Sequence, residues 1–318
     1  MIRRLLIIFL LLAVPLGVAG SFVGYLLWPT APQNIEIEIP RGEPLHNTAT
    51  LLKLAGVIRW PKYFLVYAKL KGVTSKIEAG DYLFDHSTTP VEVLDRLVRG
   101  DVATFPVTII EGWTARQIAD YLKGVIFLRD PNFAERFLVL SAGLEGTLFP
   151  DTYQLARSAT PEELIRTMTD HFKTVYAKEV APLIQNSGWT PAQILTLASI
   201  VEKETGAETE RPLIAGVFAH RLKIGMPLQS DPTIIYGLKN FDGNLRKADM
   251  SNPHPYNTYV HAGLPPGPIC NPGLAALKAA ADPTATDDLF FVSKGDGTHF
   301  FSKTISEHQA AVRKYQLK

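Results

Sequence analysis

Hydrophobic positions divide the chain into three textures: one unbroken apolar run, a stretch of short alternating segments, and a longer helical stretch ending in turn-rich sequence. Leu5 to Trp28 carries no charged residue, and as a helix it would span roughly 36 Å, enough to cross a bilayer core. Arg3 and Arg4 precede it and the first charge after it is Glu36, so the positive-inside rule places the N-terminus in the cytoplasm and exports the rest. A cleaved signal peptide has an apolar region of about 7–15 residues. This run is longer, and Trp28-Pro29 is no small-residue cleavage site, although Ala19-Gly20-Ser21 imitates one. The pattern predicts an uncleaved anchor within residues 1–30.

Beyond a Pro-containing linker from Thr30 to Asn34, Ile35-Glu36-Ile37-Glu38-Ile39 alternates strictly, the signature of a half-buried strand. Helices are predicted over Thr48–Leu54 and from Pro61 to Lys71, a strand pair over Lys76–Phe84 bent at Gly80, and a helix from Pro90 to Val98 closed by Gly100. Phe105–Gly112 repeats strand then turn, and Thr114–Leu122 repeats the helix, so two similar small α+β pieces are expected. From Glu145 the texture changes. Glu145–Tyr153 reads as a loop, Pro161–Val180 as a long amphipathic helix that Pro182 should stop, and Glu210–Ile224 as another helix. Pro227–Gly237 looks loop- and strand-like, Pro253–Pro272 like an ordered functional loop, and Pro272–Ala281 like a short helix. A hairpin through Leu289–Val292 and His299–Phe301 and a helix over Ser306–Tyr315 close the chain. The fold class expected is α+β.

Composition narrows the chemistry. A net charge of +1 over 318 residues argues against nucleic acid as the main partner, and one cysteine, Cys270, excludes an internal disulfide framework. No histidine pair has a helical zinc spacing, and neither a phosphate-binding glycine loop nor a Gly-x-Ser-x-Gly elbow is present. No metal or cofactor is expected.

The segment Thr190–Gly206 has both helix ends marked: Thr190 as N-cap, Pro191 at the first position, Gly206 for a left-handed stop. Its apolar middle ends in Glu202-Lys203-Glu204, setting two carboxylates at the rim of a core beside the negative end of the helix dipole, where a carboxyl pKa rises. Glu204 shares its face with Val201, Ile200 and Leu197; Glu202 shares its face with Ser199, Ala198 and Leu195. That favours Glu204 as a general acid, but the helical wheel does not decide between them, and a solvated helix cap remains the plain alternative for both.

The run Leu197–Thr205 is similar to the signature of the MltG (YceG-like) family. So are Arg221–Gly237 with its Gln229-Ser230-Asp231-Pro232-Thr233, Tyr256-Asn257-Thr258-Tyr259 followed by Gly263–Ile269, Glu145–Tyr153, and the terminal hairpin. The resemblance covers nearly the whole chain. Glu204-Thr205-Gly206 also resembles the Glu-Ser pair of lysozyme-like lytic transglycosylases, and the β-α-α-β order after the anchor resembles the LysM module, which binds N-acetylglucosamine-containing glycans.

What the family resemblance implies is a membrane-proximal LysM-like region over residues 31–103 and a mixed, lysozyme-like catalytic region over 104–318. The protein would be anchored in the bacterial inner membrane with its catalytic region outside the cytoplasm, and would cut nascent peptidoglycan strands, alongside peptidoglycan synthases, to leave 1,6-anhydro ends. Glu204 carries over as the acid and then the base. Gln229, Ser230, Asp231 and Asn257 are candidates for lining the glycan cleft, and Tyr236, Tyr256 and Tyr259 for stacking on sugar faces; turn formation and packing are the plain alternatives. A muramidase using the same acid and a non-catalytic wall-binding scaffold are the rival functions.

Overall fold

Five threonines start helices here in the same way. Thr89, Thr114, Thr160, Thr190 and Thr304 each stand in extended conformation before a helix and accept the backbone N–H three residues on. At all but Thr89 the residue in that position, Gln117, Glu163, Gln193 or Glu307, reaches back to close a capping box. Each such cap contributes about 1 kcal/mol, which is why sequence locates these starts well.

The structure, a computed structural model, describes residues 2–30, 34–185, 187–238 and 240–317; side chains of residues 2–8 and 10 are not among those described. Arg3 and Arg4, the first apolar side chains of the expected anchor, and most of the Thr30–Asn34 linker therefore lie outside it. The chain forms two compact units, one of Met1–Phe105, Phe127–Arg129 and Gln154–Ala159, the other of Pro106–Ile126, Asp130–Tyr153 and Thr160–Lys318.

In the first unit a helix, α1 (Ile2–Leu27), precedes strand β1 (Ile35–Ile39), helices α2 (Leu45–Leu54) and α3 (Pro61–Leu70), strand β2 (Gly80–Phe84) and helix α4 (Pro90–Arg99). Counted on described residues, no helix is long and apolar enough to cross a membrane. β1 and β2 pair antiparallel with Ile37 opposite Tyr82. Ile37 and Ile39 face a core with Leu52, Phe64 and Tyr82, while Glu36 and Glu38 face outward to Arg157 and Arg129. The strand pair expected over Lys76–Phe84 is one strand only. It starts at Gly80, whose φ of +151° and whose close approach to the Val102 side chain admit no other residue without strain.

Further along the chain β3 (Thr104–Thr108) pairs with β4 (Thr152–Ala156). Between them lie α5 (Ala115–Leu122) and α6 (Phe133–Leu140). Neither β4 nor α6 is expected from sequence. β4 hides at the end of a loop-like motif, and α6 starts at Asn132 without a side-chain cap. After α7 (Pro161–Val175) the helix widens into a π-helical turn over Tyr176–Val180 and continues as α8 (Ala181–Ile184). Pro182 therefore does not stop it. The proline sits in the first turn of α8, where its missing N–H is tolerated.

Then come α9 (Pro191–Glu204), α10 (Arg211–Lys223), α11 (Asp231–Gly237), α12 (Leu274–Ala281), the antiparallel hairpin β5 (Phe290–Ser293) and β6 (His299–Ser302), and α13 (Ile305–Tyr315). The loop- and strand-like reading of Thr233–Tyr236 is wrong: these residues are in α11. α9 runs through the core, with Ile194, Leu197, Ile200 and Val201 packed among Ile214, Phe218 and Leu277 from α10 and α12. With eight consecutive residues buried, Ile194 to Val201, α9 has almost no solvated face. The position of its last residue is fixed accordingly.

Candidate active site

α9 ends without the left-handed glycine expected of it. Thr205 leaves the helix directly into extended backbone, φ −147° and ψ 140°, and its hydroxyl accepts the N–H of Ala207 at 2.9 Å. The turn is thus closed by a threonine side chain, and Gly206 is not among the left-handed glycines.

Neither glutamate at this end is a solvated cap. The Glu202 side chain is 5% exposed and faces Arg211, itself 7% exposed, across 3.2 Å. Its other oxygen accepts the N–H of Gly273 at the start of α12, 2.9 Å away. Glu202 is therefore a joint between three helices.

Glu204 has no such counter-ion. Its carboxyl accepts the hydroxyl of Ser230 in a short hydrogen bond. Burial pushes its pKa up to about 7; the Ser230 bond opposes this, nearby Asp231 adds to it, and His299 and Arg221 oppose it more weakly. A carboxyl that titrates near neutrality can both give and take a proton there.

Ser230 is held rigidly. Its N–H donates to Thr258 Oγ1 at 3.0 Å, and Thr258 Oγ1 shares a 2.9 Å hydrogen bond with Thr233 Oγ1. Gln229 immediately before it adopts φ +48°, unusual for a residue with a side chain, and donates its N–H to Thr258 O at 3.1 Å. Its side chain is exposed. Asp231, also exposed, is the first residue of α11 and accepts the Tyr259 hydroxyl at 2.7 Å.

Structure thus gathers Glu204, Gln229, Ser230, Asp231 and Tyr259 in one place. Tyr236 and Tyr256 lie further along α11 and its neighbouring loop, as a pair with ring centroids 4.8 Å apart, both half-buried. Asn257 is different: it is 1% exposed. Its amide donates to the carbonyls of Met250 and Asn252 at 3.0 and 2.7 Å and accepts the N–H of Tyr259 at 2.9 Å. It is committed to shaping the loop that carries Tyr256 and Tyr259, and offers nothing to a ligand.

Three groups went unrecognised in the sequence. Arg221, buried, donates to the carbonyls of Leu289 and Leu228, both at 2.6 Å, and senses Glu204 electrostatically. His299 is fixed by Glu210, which accepts its Nδ1 at 2.7 Å and its backbone N–H at 3.0 Å. Glu145 accepts the N–H of Ala115 at the start of α5 (3.0 Å), the Asn271 amide (2.8 Å) and, at 3.5 Å, the Tyr236 hydroxyl. Burial pushes its pKa up to about 7, against the pull of those three donors. The resemblance quoted its motif without giving it a role. Its main partner, Asn271, is 126 positions away, beyond the reach of local pattern.

Among the described residues no group of three or more His, Cys, Asp or Glu side chains could hold a metal ion. The arrangement offers proton transfer by a buried carboxyl next to polar and aromatic side chains.

Comparison with known proteins matches residues 37–314 to the family described as YceG-like. The chain is 33% identical to the endolytic murein transglycosylase of Bacillus subtilis, over 88% of this chain and 84% of that protein. It is 32% identical to the endolytic murein transglycosylase of Streptococcus pneumoniae, over 93% of this chain but 62% of that longer protein. Among solved structures, a YceG-like protein from Listeria monocytogenes matches with a TM-score of 0.56 and 29% identity, over 87% of this chain and 98% of that one.

Proposed function

Because this chain belongs to the YceG-like family, we propose that it is a peptidoglycan lytic transglycosylase that cleaves within glycan strands, with Glu204 as its acid and base. The observation that carries this reading is the Glu204 carboxyl at the end of a buried helix, hydrogen-bonded to Ser230 and holding its proton up to about pH 7. Protonated Glu204 gives its proton to the oxygen between N-acetylmuramic acid and N-acetylglucosamine as that bond breaks. The C6 hydroxyl of the same muramic residue attacks its anomeric carbon, and Glu204, now a carboxylate, takes the hydroxyl proton. A 1,6-anhydro end and a free N-acetylglucosamine hydroxyl result, Glu204 is again protonated, and no water is consumed. No second carboxylate nucleophile is required, since the substrate supplies its own.

Asp231 contributes negative charge near the oxocarbenium-like state, held in place by the Tyr259 hydroxyl. In this reading the Tyr236–Tyr256 pair and the exposed Gln229 side chain meet sugars in flanking positions. The finer reading is an inner-membrane protein anchored by α1, exported beyond it, terminating nascent strands beside the synthases. In it, residues 31–103 act as a LysM-like glycan-contacting region and 104–318 as a lysozyme-like catalytic region. The β-α-α-β order of the first unit supports the former and the buried carboxyl the latter.

Mass spectrometry of digested, uncrosslinked glycan strands tests the proposal. Anhydro ends support it. Reducing ends make the protein a muramidase, and intact strands make it a scaffold.

A further inference from the structure

α1 does not leave the first unit as a free tether. Its last turns pack on α3: Phe22 meets Tyr63 edge-on with centroids 5.6 Å apart, and Tyr25 lies 5.6 Å from both Trp60 and Tyr63. The Ser21 and Tyr63 hydroxyls share a 3.2 Å hydrogen bond. Just past the helix, Thr30 fixes the chain by donating its hydroxyl to the carbonyls of Val57 and Thr88.

Beside this aromatic knot is a pocket of about 350 Å³ walled by Tyr25, Trp28, Thr30, Arg59, Trp60 and Pro90. Three features set it apart from ordinary surface. The Arg59 guanidinium lies over the Trp28 ring at 5.7 Å and meets no carboxylate among the described residues. The Tyr25 hydroxyl, in a side chain 4% exposed, is left without a hydrogen-bond partner of good geometry. Trp28 and Trp60 are 63% and 54% exposed. From this pocket the apolar side chains of α1 run on uncovered by protein, Leu12, Leu16 and Leu27 among them, each more than 60% exposed. Water is a poor solvent for such a helix, and tryptophan, tyrosine and arginine at its end match the boundary between acyl chains and headgroups.

We propose that this pocket binds an anionic membrane phospholipid, its phosphate against Arg59 and its upper acyl chain against Trp28 and Trp60. This rests on the reading of α1 as membrane-embedded, and needs lipid only at the last turns of that helix. An unpaired guanidinium prefers a phosphate to a neutral partner, and aromatic walls accept the chain that free phosphate lacks. The consequence is that the first unit is held against the bilayer at a lipid-occupied joint.

The test uses the full chain, purified in detergent and reconstituted in vesicles of phosphatidylglycerol or phosphatidylcholine. Native mass spectrometry should find phosphatidylglycerol retained over phosphatidylcholine, and Arg59→Gln should weaken retention about fivefold while Arg59→Lys keeps part of it. Lipids brominated near the headgroup should quench tryptophan emission, less so in Trp28→Phe. A chain washed from vesicles at alkaline pH overturns both the embedding of α1 and the pocket. One that stays embedded, yet shows no headgroup preference or no effect of Arg59→Gln, overturns the pocket alone, as does inorganic phosphate binding as tightly as the lipid.

Discussion

Glu202 and Glu204 stand two residues apart at the end of one helix, yet they lie in regions with opposite physical logic. The Glu202 region is an electrostatic joint: the carboxylate bridges a buried guanidinium and a helix N-terminus. The Glu204 region is left open. Its carboxyl is buried without a cation in contact, so the proton takes the place a counter-ion would fill. A buried acid with a partner builds structure, and one without a partner is poised for chemistry.

The largest expected effect separates the two. Glu204→Gln should lower turnover by about 10²–10⁴-fold, the usual range for a general acid, with anhydro-end formation followed by mass spectrometry. Glu202→Gln should keep most turnover but destabilise the fold by about 3–5 kcal/mol, because the buried Arg211 loses its buried carboxylate partner; thermal melting reads this. If Glu202→Gln lost turnover at an unchanged melting temperature, the contrast would collapse.

A second test uses stability against pH. The folded pKa values of Glu204 and Glu145, about 7, lie above their ordinary 4.5. Their contribution is therefore complete below about pH 4.5 and is lost as pH rises towards 7. Melting temperature should fall across that window, and Glu204→Gln and Glu145→Gln should each flatten part of the fall. Turnover should also decline as pH rises through 7.

Ser230→Ala refines the Glu204 side. The lost hydroxyl favoured the ionised acid, so the alkaline limb of the kcat profile should move up by about one pH unit. The smallest effect is expected from Tyr259→Phe, which releases Asp231 and should cost about threefold to tenfold in kcat/KM, the worth of one hydrogen bond to a charged group partly exposed to water.

The features legible in sequence were those with local causes. Threonine caps, the alternating isoleucines of β1, the terminal hairpin and the apolar stripe of α9 all announce themselves within a few residues. The choice between Glu202 and Glu204 was only half legible: apolar neighbours pointed to Glu204, but the reason Glu202 differs is Arg211 and Gly273, which no wheel displays. α11 was misread because Thr233-Ile234-Ile235-Tyr236 is rich in strand-favouring residues, and burial of Thr233 and Ile234 in the helix outweighs that propensity. Asn257 looked like a ligand-binding amide because its loop partners are invisible in one dimension. Glu145, Arg221 and His299 depend on partners far along the chain.

Those distant partners also have a consequence in time. Arg221, which lowers the pKa of Glu204, is anchored by the carbonyl of Leu289, and His299, which does the same, arrives on β6. Synthesis proceeds from the N-terminus, so the helix bearing the acid is made long before the hairpin that completes its surroundings. The acid is thus made before the groups that temper it, and its surroundings are complete only once β6 has been synthesised.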